Sequence, residues 1–380
     1  IHITIQKDKK GRTMKNAFCR IQIDFDALLY NYRQVKNLHP ELMPVIKANA
    51  YAHGAVEIAR FFEKQGVKYF ATGTIYEALE LREKGIANEI IPLLGALTDE
   101  EYKKGEEENI VSLAHDRQSL DKALTHSSKI AVKINSGMGR LGFLPQDIGE
   151  VIHSIKKHNK TAQYVLTHYA SADVISENGY MQTQAERLAP AVTALKNAFP
   201  DIKTSFANSA ALVAYPEYAG DIARIGRIFY GGNPLYGTQK EALTPHLKPA
   251  LALTAPILSI NHLKRGECLS YMQSFTAERD TVAAWIGIGY ANGYRRSNRV
   301  FSQDSNFVPH VSLLGRHCPV LGYITMQMTA IDITDIYDGK NIQTGDHAYV
   351  LGGEENPVTP EMLATWWNTV PHEVLTSLGF

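Results

Sequence analysis

The sequence predicts an α/β chain: a parallel (β/α)8 barrel on the N-terminal side, followed by a mostly β domain. Three observations carry this. Eight short β-like runs alternate with helical runs up to about Gly237, the rhythm that builds a parallel barrel. Beyond Gly237 long helical patterns stop and extended runs separated by turn signals take over, as in a β domain. Polar side chains also collect at the predicted C-terminal ends of the barrel strands, the rim on which sites of this fold form.

In chain order, an opening strand, Cys19 to Asp24, and a helix near Ala27 to Asn37 precede the barrel runs. Those runs are Met43–Lys47, Val67–Thr72, Glu89–Gly95, Ile110–Leu113, Lys129–Asn135, Gln163–His168, Lys203–Phe206 and Ile222–Ile225. Between them, Ala55 to Gln65 is amphipathic and ends at Gly66, a suitable helix stop. A further helix, Ile75 to Lys84, ends at Gly85. Thr98 with Glu101 reads as a capping box for the next helix. The helix from about Glu177 to Ala198 contains Pro190, which should kink or split it.

The extended runs of the second half are Leu251–Ile260, Thr281–Ile288, Val308–Leu314, Val320–Ile324, Thr329–Ile333 and Ala348–Leu351. Arg265-Gly266, Asp338-Gly339 and Gly352-Gly353 punctuate them, and Thr359 with Pro360 opens a short helix with proline at its first position. These textures divide the chain into an N-terminal extension, 1–16, a barrel, 17–240, and a β domain, 241–380. The first barrel-side strand is a candidate to pair with the C-terminal domain instead.

Composition narrows the function. At 380 residues, with 44% hydrophobic and 21% charged residues, the chain is of the soluble globular kind. Lys plus Arg (39) balances Asp plus Glu (39), so neither nucleic acid nor a membrane surface is expected as a partner. No apolar run reaches the length of a membrane span. The opening IHITIQKDKKGRTMKN lacks the long apolar centre of a secretion signal. Cys19, Cys268 and Cys318 form neither a zinc pattern nor a disulfide framework, and the fourteen histidines contain no HExxH. A cytoplasmic protein without a metal site is the expectation.

The most informative stretch is VIKANAYAHG, Val45 to Gly54. It ends an apolar run with Lys47, sets Tyr51 four residues on, and opens a helix with a His-Gly pair. A Schiff base with an aldehyde cofactor requires a lysine that can shed its proton, and partial burial makes this possible. Taken alone, Lys47 reads as a surface lysine at a strand end. The other strand ends add Lys133, Asn135 and the following Arg140, then His168, Asn208, Ser209 and Arg224 with Gly226. Convergence of these on one rim is much less expected by chance than any one of them.

The chain resembles the alanine racemases in six strings. They are VIKANAYAHG (45–54), VKINSGMGRLG (132–142), LTHYASAD (166–173), ANSAAL (207–212), RIGRIFYGGNP (224–234) and IGYANGYRR (288–296). The resemblance implies a barrel plus β-domain enzyme that carries pyridoxal 5′-phosphate (PLP), acts on a small amino acid and works as a homodimer with shared active sites. It implies that Lys47 binds the cofactor aldehyde and serves one face of the substrate carbon. Tyr290, given by the partner subunit, would serve the other. Lysine and tyrosine side chains titrate near 10 in water, so such a pair needs burial and neighbouring cations.

By the same resemblance Arg224 meets the pyridine nitrogen, and arginine, always protonated, donates there rather than accepting a proton. A ring nitrogen left unprotonated is a weaker electron sink, which favours prompt reprotonation over transamination. His168 bonds Arg224 or lies against the ring. Tyr51, Asn208, Ser209, Gly226 and Arg227 correspond to the phosphate cradle, where glycine allows close backbone approach; ANSAA is also an ordinary helix cap. Arg140 corresponds to the arginine that bonds the cofactor's phenolic oxygen and the substrate carboxylate, and Lys133 to a lysine often carbamylated to position it. Met326, with Gln327 and Tyr271, falls on the substrate side.

Three positions depart from the family pattern. Gln327 stands where aspartate is usual, which points to altered side-chain tolerance with serine as the alternative substrate. Tyr323 replaces an entrance arginine, so no ion pair with Asp173 can form. Phe380 falls where many members carry a phosphate-binding tyrosine. A PLP carrier without catalysis fits poorly because such small barrels lack a β domain. A decarboxylase fits poorly because Arg224 stands at the ring nitrogen and neither Cys268 nor Cys318 sits in a matching motif. The implied purpose is D-alanine for a bacterial cell wall.

Overall fold

The structure, a computed structural model, describes residues 2–5, 19–174, 179–296, 308–353 and 355–378. Its contacts group into two units, Leu29–Leu247 and a second made of Ile1–Leu28 with Lys248–Phe380.

Strands β1 (His2–Ile5) and β2 (Arg20–Asp24) come first. Eight short strands then form the first unit's ring. They are β3 (Leu42–Pro44), β4 (Tyr69–Thr72), β5 (Glu89–Pro92), β6 (Ser112–Ala114), β7 (Ile130–Lys133), β8 (Tyr164–Leu166), β9 (Lys203–Ser205) and β10 (Ala223–Ile225). β4 pairs with β5, and β6 through β9 pair in sequence, all parallel; β10 pairs parallel with β3 and so closes the ring. Main-chain contacts bridge the remaining seams: Val45 to Ala71, Val111 N to Ile90 O at 3.0 Å, and Ile222 N to Thr204 O at 3.0 Å. Strands β4, β6, β7 and β8 are buried on both faces, which is why most of their residues are apolar without alternation; β9, Lys-Thr-Ser with Lys203 exposed, departs from this.

The helices start where the side chains dictate. Thr74 with Glu77, Thr98 with Glu101 and Asp116 with Ser119 each form a reciprocal cap, worth about 1 kcal/mol apiece. Of the kink or split expected at Pro190 there is no split: the helix runs continuously over Tyr180–Ala198. Pro190 is exposed, so the carbonyl it leaves unpaired can turn to water, while Met181, Gln184, Ala185, Leu188, Ala191 and Leu195 hold the other face in the core.

The second unit is built on β11 (Leu251–Leu263), β12 (Cys268–Leu269), β13 (Phe275–Thr276), β14 (Thr281–Ile286), β15 (His310–Leu313), β16 (Arg316–Leu321), β17 (Thr329–Asp332) and β18 (His347–Leu351). Its large sheet runs β1-β2-β11-β14-β17-β16-β15-β18, and β18 also pairs back to β11. The first half of β11 lies between β2 and β18, with Ile23 opposite Leu251; the second half pairs with β14 after a register shift between Ile257 and Ser259. Helices Pro360–Trp367 and Pro371–Ser377 follow, the former capped by Thr359. Among the described residues, no helix is long and apolar enough to cross a membrane, and no group of three His, Cys, Asp or Glu could hold a metal ion.

Candidate active site

Lys47 leads into an unusual turn. Ala48, Asn49, Ala50, Tyr51 and Ala52 all have positive φ, between 51° and 69°, so one turn of left-handed helix is made without glycine. Each such residue costs on the order of 1–2 kcal/mol relative to the right-handed form. The surroundings hold it. Ala50 N bonds Ile46 O and Ala52 N bonds Ala48 O. Asn49 Oδ1 accepts from Ala55 N at 2.9 Å, and His53 Nδ1 bonds Tyr51 O at 2.8 Å. The fully buried His53 ring lies 4.3 Å from that of Tyr230, and burial lowers its pKa to about 4. The turn thus places Lys47 and Tyr51 on the same rim, and Gly54 then starts the helix Ala55–Lys64.

Arg224 is buried inside the ring. Its guanidinium donates to Ser205 O (2.9 Å), Ser205 Oγ (3.0 Å) and Thr167 O (2.5 Å), and meets His168 Nδ1 at 3.5 Å. Cations crowd this rim. Burial, then Arg140 and Arg224, lower the pKa of Lys47, while Glu77 acts in the opposite direction. Burial, then Arg224, Arg140 and Lys47, bring Lys133 down to about 7. His168 is pushed to about 3 by burial and the same four cations, and is neutral. Arg224 falls to about 10 through burial and Arg140, and so stays protonated at neutral pH. Like charges that depress the pKa values of Lys47, Lys133 and Arg224 mark a site short of anions.

A cradle sits beside it. Gly226 N donates to Ser209 Oγ at 3.3 Å, and a Cβ on Gly226 would lie 2.6 Å from the Tyr51 hydroxyl. Glycine is therefore required by that approach. Asn208 spends both polar atoms locally, on Ala211 N and Tyr169 O, so its side chain serves by presenting Ser209 rather than by reaching outward. Arg140 rides on a loop that Asn135 shapes by accepting from Gly137 N and Gly139 N.

The second unit brings a different group together. Tyr290 is 44% exposed and opens a short turn whose Tyr290 N and Ala291 N donate to Thr325 O (3.1 Å) and Met326 O (2.9 Å). A Cβ on Gly289 would strike Thr325 O, and one on Gly293 (φ +83°) would strike Ser377 O. The glycines of IGYANGY therefore lock the tyrosine turn to the Met326–Gln327 turn and to the last helix. Met326, Gln327 and Tyr271 are exposed. Ser270 Oγ ties the Tyr271 turn to Tyr323 O at 2.8 Å, and the Arg296 guanidinium stacks 3.9 Å above the Tyr323 ring. Phe380 lies outside the described residues.

Sequence reasoning passed over several residues. Gln184, wholly buried, bonds Ser136 Oγ, His168 O and Ala170 N and so fixes the strand end carrying His168. Thr167 and Ser205 hold Arg224 through main-chain oxygens, which no side-chain motif reports. Glu77 was visible as T-x-x-E before an apolar run, the capping-box signal.

Comparison with known proteins points to one family. The family model "Alanine racemase, N-terminal domain" matches residues 23–234, and "Alanine racemase, C-terminal domain" matches residues 250–380. The alanine racemase of Lawsonia intracellularis is 37% identical over 371 residues, covering 94% of this chain and 95% of the relative. That of Listeria monocytogenes serovar 1/2a is 33% identical over 368 residues, with the same coverage of 94% and 95%. Among solved structures, the alanine racemase of Clostridium difficile 630 superposes with a TM-score of 0.83 at 30% identity, covering 96% of this chain and 94% of that one. The enzyme from E. faecalis gives 0.82 at 26% identity, covering 95% and 96%.

Proposed function

The chain belongs to the alanine racemase family and interconverts L- and D-alanine; we propose that it does so with PLP carried on Lys47 and with two acid–base groups, Lys47 and the Tyr290 of a second copy. The observation that carries this reading is the ring of cations, Lys47, Lys133, Arg140 and Arg224, beside a cradle that only a glycine fits. A cofactor with a phosphate dianion and a phenolic oxygen, together with a substrate carboxylate, matches that deficit of negative charge. When bound, PLP supplies an electron-withdrawing ring that acidifies the substrate's α-hydrogen.

The chain's residues do the rest. Tyr51 OH, Ser209 Oγ, Gly226 N and the main chain at Arg227 hold the phosphate. Arg224 donates to the pyridine nitrogen and leaves no proton there, which limits charge withdrawal and favours return of a proton to the α-carbon. His168, neutral, keeps Arg224 in place without competing for that proton. Lys47, its pKa lowered, has an amine able to take a proton from one face; the phenol of Tyr290 gives or takes one on the other. Arg140 and the main chain at Met326 orient the substrate carboxylate, with Gln327 and Tyr271 beside it.

Lys133 fits carbamylation. Its neutral amine adds to carbon dioxide, a C–N bond forms and one proton is released, and the resulting anion offsets Arg140 and Arg224. A homodimer with shared sites, a cytoplasmic location and supply of D-alanine for a cell wall complete the reading.

Borohydride reduction of the PLP-loaded enzyme followed by peptide mapping tests it. The expected result is one modified peptide, with the label on Lys47; a label on another lysine overturns the assignment.

Gln327 favours one second reading, that serine is accepted beside alanine. Gln327→Asp is expected to raise the alanine-to-serine ratio of kcat/KM by about three- to tenfold, the scale of one polar contact. An unchanged ratio disposes of serine tolerance as a property of this residue.

A further inference from the structure

We propose that Glu77 is a positioning residue for Lys47: its carboxylate staples the left-handed turn that carries the lysine to the neighbouring strand–helix loop. The inference rests on Lys47 as the cofactor-bearing amine.

Glu77 lies in the helix Ile75–Glu83 that follows β4. A capping box needs its side chain for the Thr74 N–H alone. Here Oε2 accepts from Thr74 N (3.1 Å) and also from Gly73 N (2.6 Å), while Oε1 reaches across to Ala48 N (2.8 Å). Ala48 is the first residue of the positive-φ run. The turn's own bonds begin two residues later, at Ala50 N and Ala52 N, and its far end is held by Asn49 with Ala55 and by His53. Glu77 therefore closes the end nearest Lys47. Gly73 lets it do so: a Cβ there would meet Glu77 Oε2 at 3.0 Å and the Lys47 Cβ at 3.4 Å.

The fold supplies its own control. Glu101 forms the same box with Thr98, accepting from Leu97 N and Thr98 N, but its further partner is the Tyr76 hydroxyl, not the lysine turn. Capping alone predicts equal behaviour of the two glutamates. Charge separates them as well. Of the groups coupled to Lys47, Arg140, Arg224, Lys133 and His168 carry positive charge or none, and Glu77 sets a carboxylate against them.

The test compares wild type, Glu77→Gln and Glu101→Gln. In the apoenzyme, acylation of Lys47 is followed against pH by mass spectrometry, which needs no cofactor. In Glu77→Gln the labelling curve moves to lower pH, because an anion that favours the ammonium is gone; in Glu101→Gln it stays. In the loaded enzyme Glu77→Gln loses about tenfold in kcat with KM for alanine changed by less than about twofold, the split expected of a misplaced group rather than lost substrate binding. A wild-type labelling curve together with a melting temperature lowered only as far as in Glu101→Gln reduces Glu77 to a cap and overturns the proposal. Borohydride mapping of the wild type to a different lysine is separate: it defeats the functional reading and leaves the apoenzyme result to stand.

Discussion

Lys47→Ala yields a folded protein with no measurable racemisation and without the absorbance near the visible edge that PLP acquires on a lysine amine. The loss in kcat/KM is on the order of 10⁴-fold or more, because in the proposed mechanism one substitution removes both the attachment point and one of the two proton-transfer groups. Stability changes by less than about 0.5 kcal/mol, as is usual for an accessible side chain outside the core. The positive-φ run begins at Ala48, one residue later, so alanine at position 47 meets no new backbone strain. Absorbance spectra, a coupled assay for D-alanine and a thermal melt check the three parts. Retention of more than about 1% of wild-type turnover places the base on another residue.

Tyr290→Phe keeps the cofactor and loses about 10³-fold in racemisation, within the range of one general acid–base group. Racemisation has an equilibrium constant of one, so kcat/KM falls equally in both directions. The asymmetry appears in isotope exchange. In deuterated water one enantiomer still trades its α-hydrogen through Lys47 without inverting, and its antipode does not. The substitution leaves the turn intact, since Tyr290 N and Ala291 N hold it through Thr325 O and Met326 O rather than through the phenol. Equal exchange from both enantiomers at the wild-type rate removes Tyr290 from the chemistry.

The barrel was legible because burial on both faces writes an apolar run into most of its strands, β9 with Lys203-Thr204-Ser205 being an exception, and because Gly66 and Gly85 punctuate the helices between them. Ile110–Leu113, one of the three four-residue runs, corresponds to β6 at Ser112–Ala114. The hairpin β12–β13 escaped notice, since two-residue strands carry no periodicity. The helix Pro371–Ser377 is too short for its pattern to rise above neighbouring loops.

At the site, residue types were readable and their supports were not. Lys47, Arg224 and Gly226 stood out by chemistry and place. Nothing in Ala48, Ala50 or Tyr51 signals a left-handed turn, because local preference reserves positive φ for glycine and asparagine. Glu77 announced one of its tasks, the cap, through T-x-x-E. Its bond to Ala48 depends on two distant segments meeting, as do the bonds of Gln184 to Ser136 and His168.

The pairing of β2 with β11 sets an order of events during synthesis. Arg20–Asp24 leaves the ribosome long before its partner Leu251–Thr254 exists, whereas the ring from Leu42 to Ile225 has every seam available by the time Ile225 emerges. The topology thus lets the ring close while β2, already able to pair with β1 on one side, still lacks β11 on the other, an unfilled edge of the kind on which nascent chains aggregate. A chain halted between those two points holds every strand of the ring but only one of the two neighbours of β2.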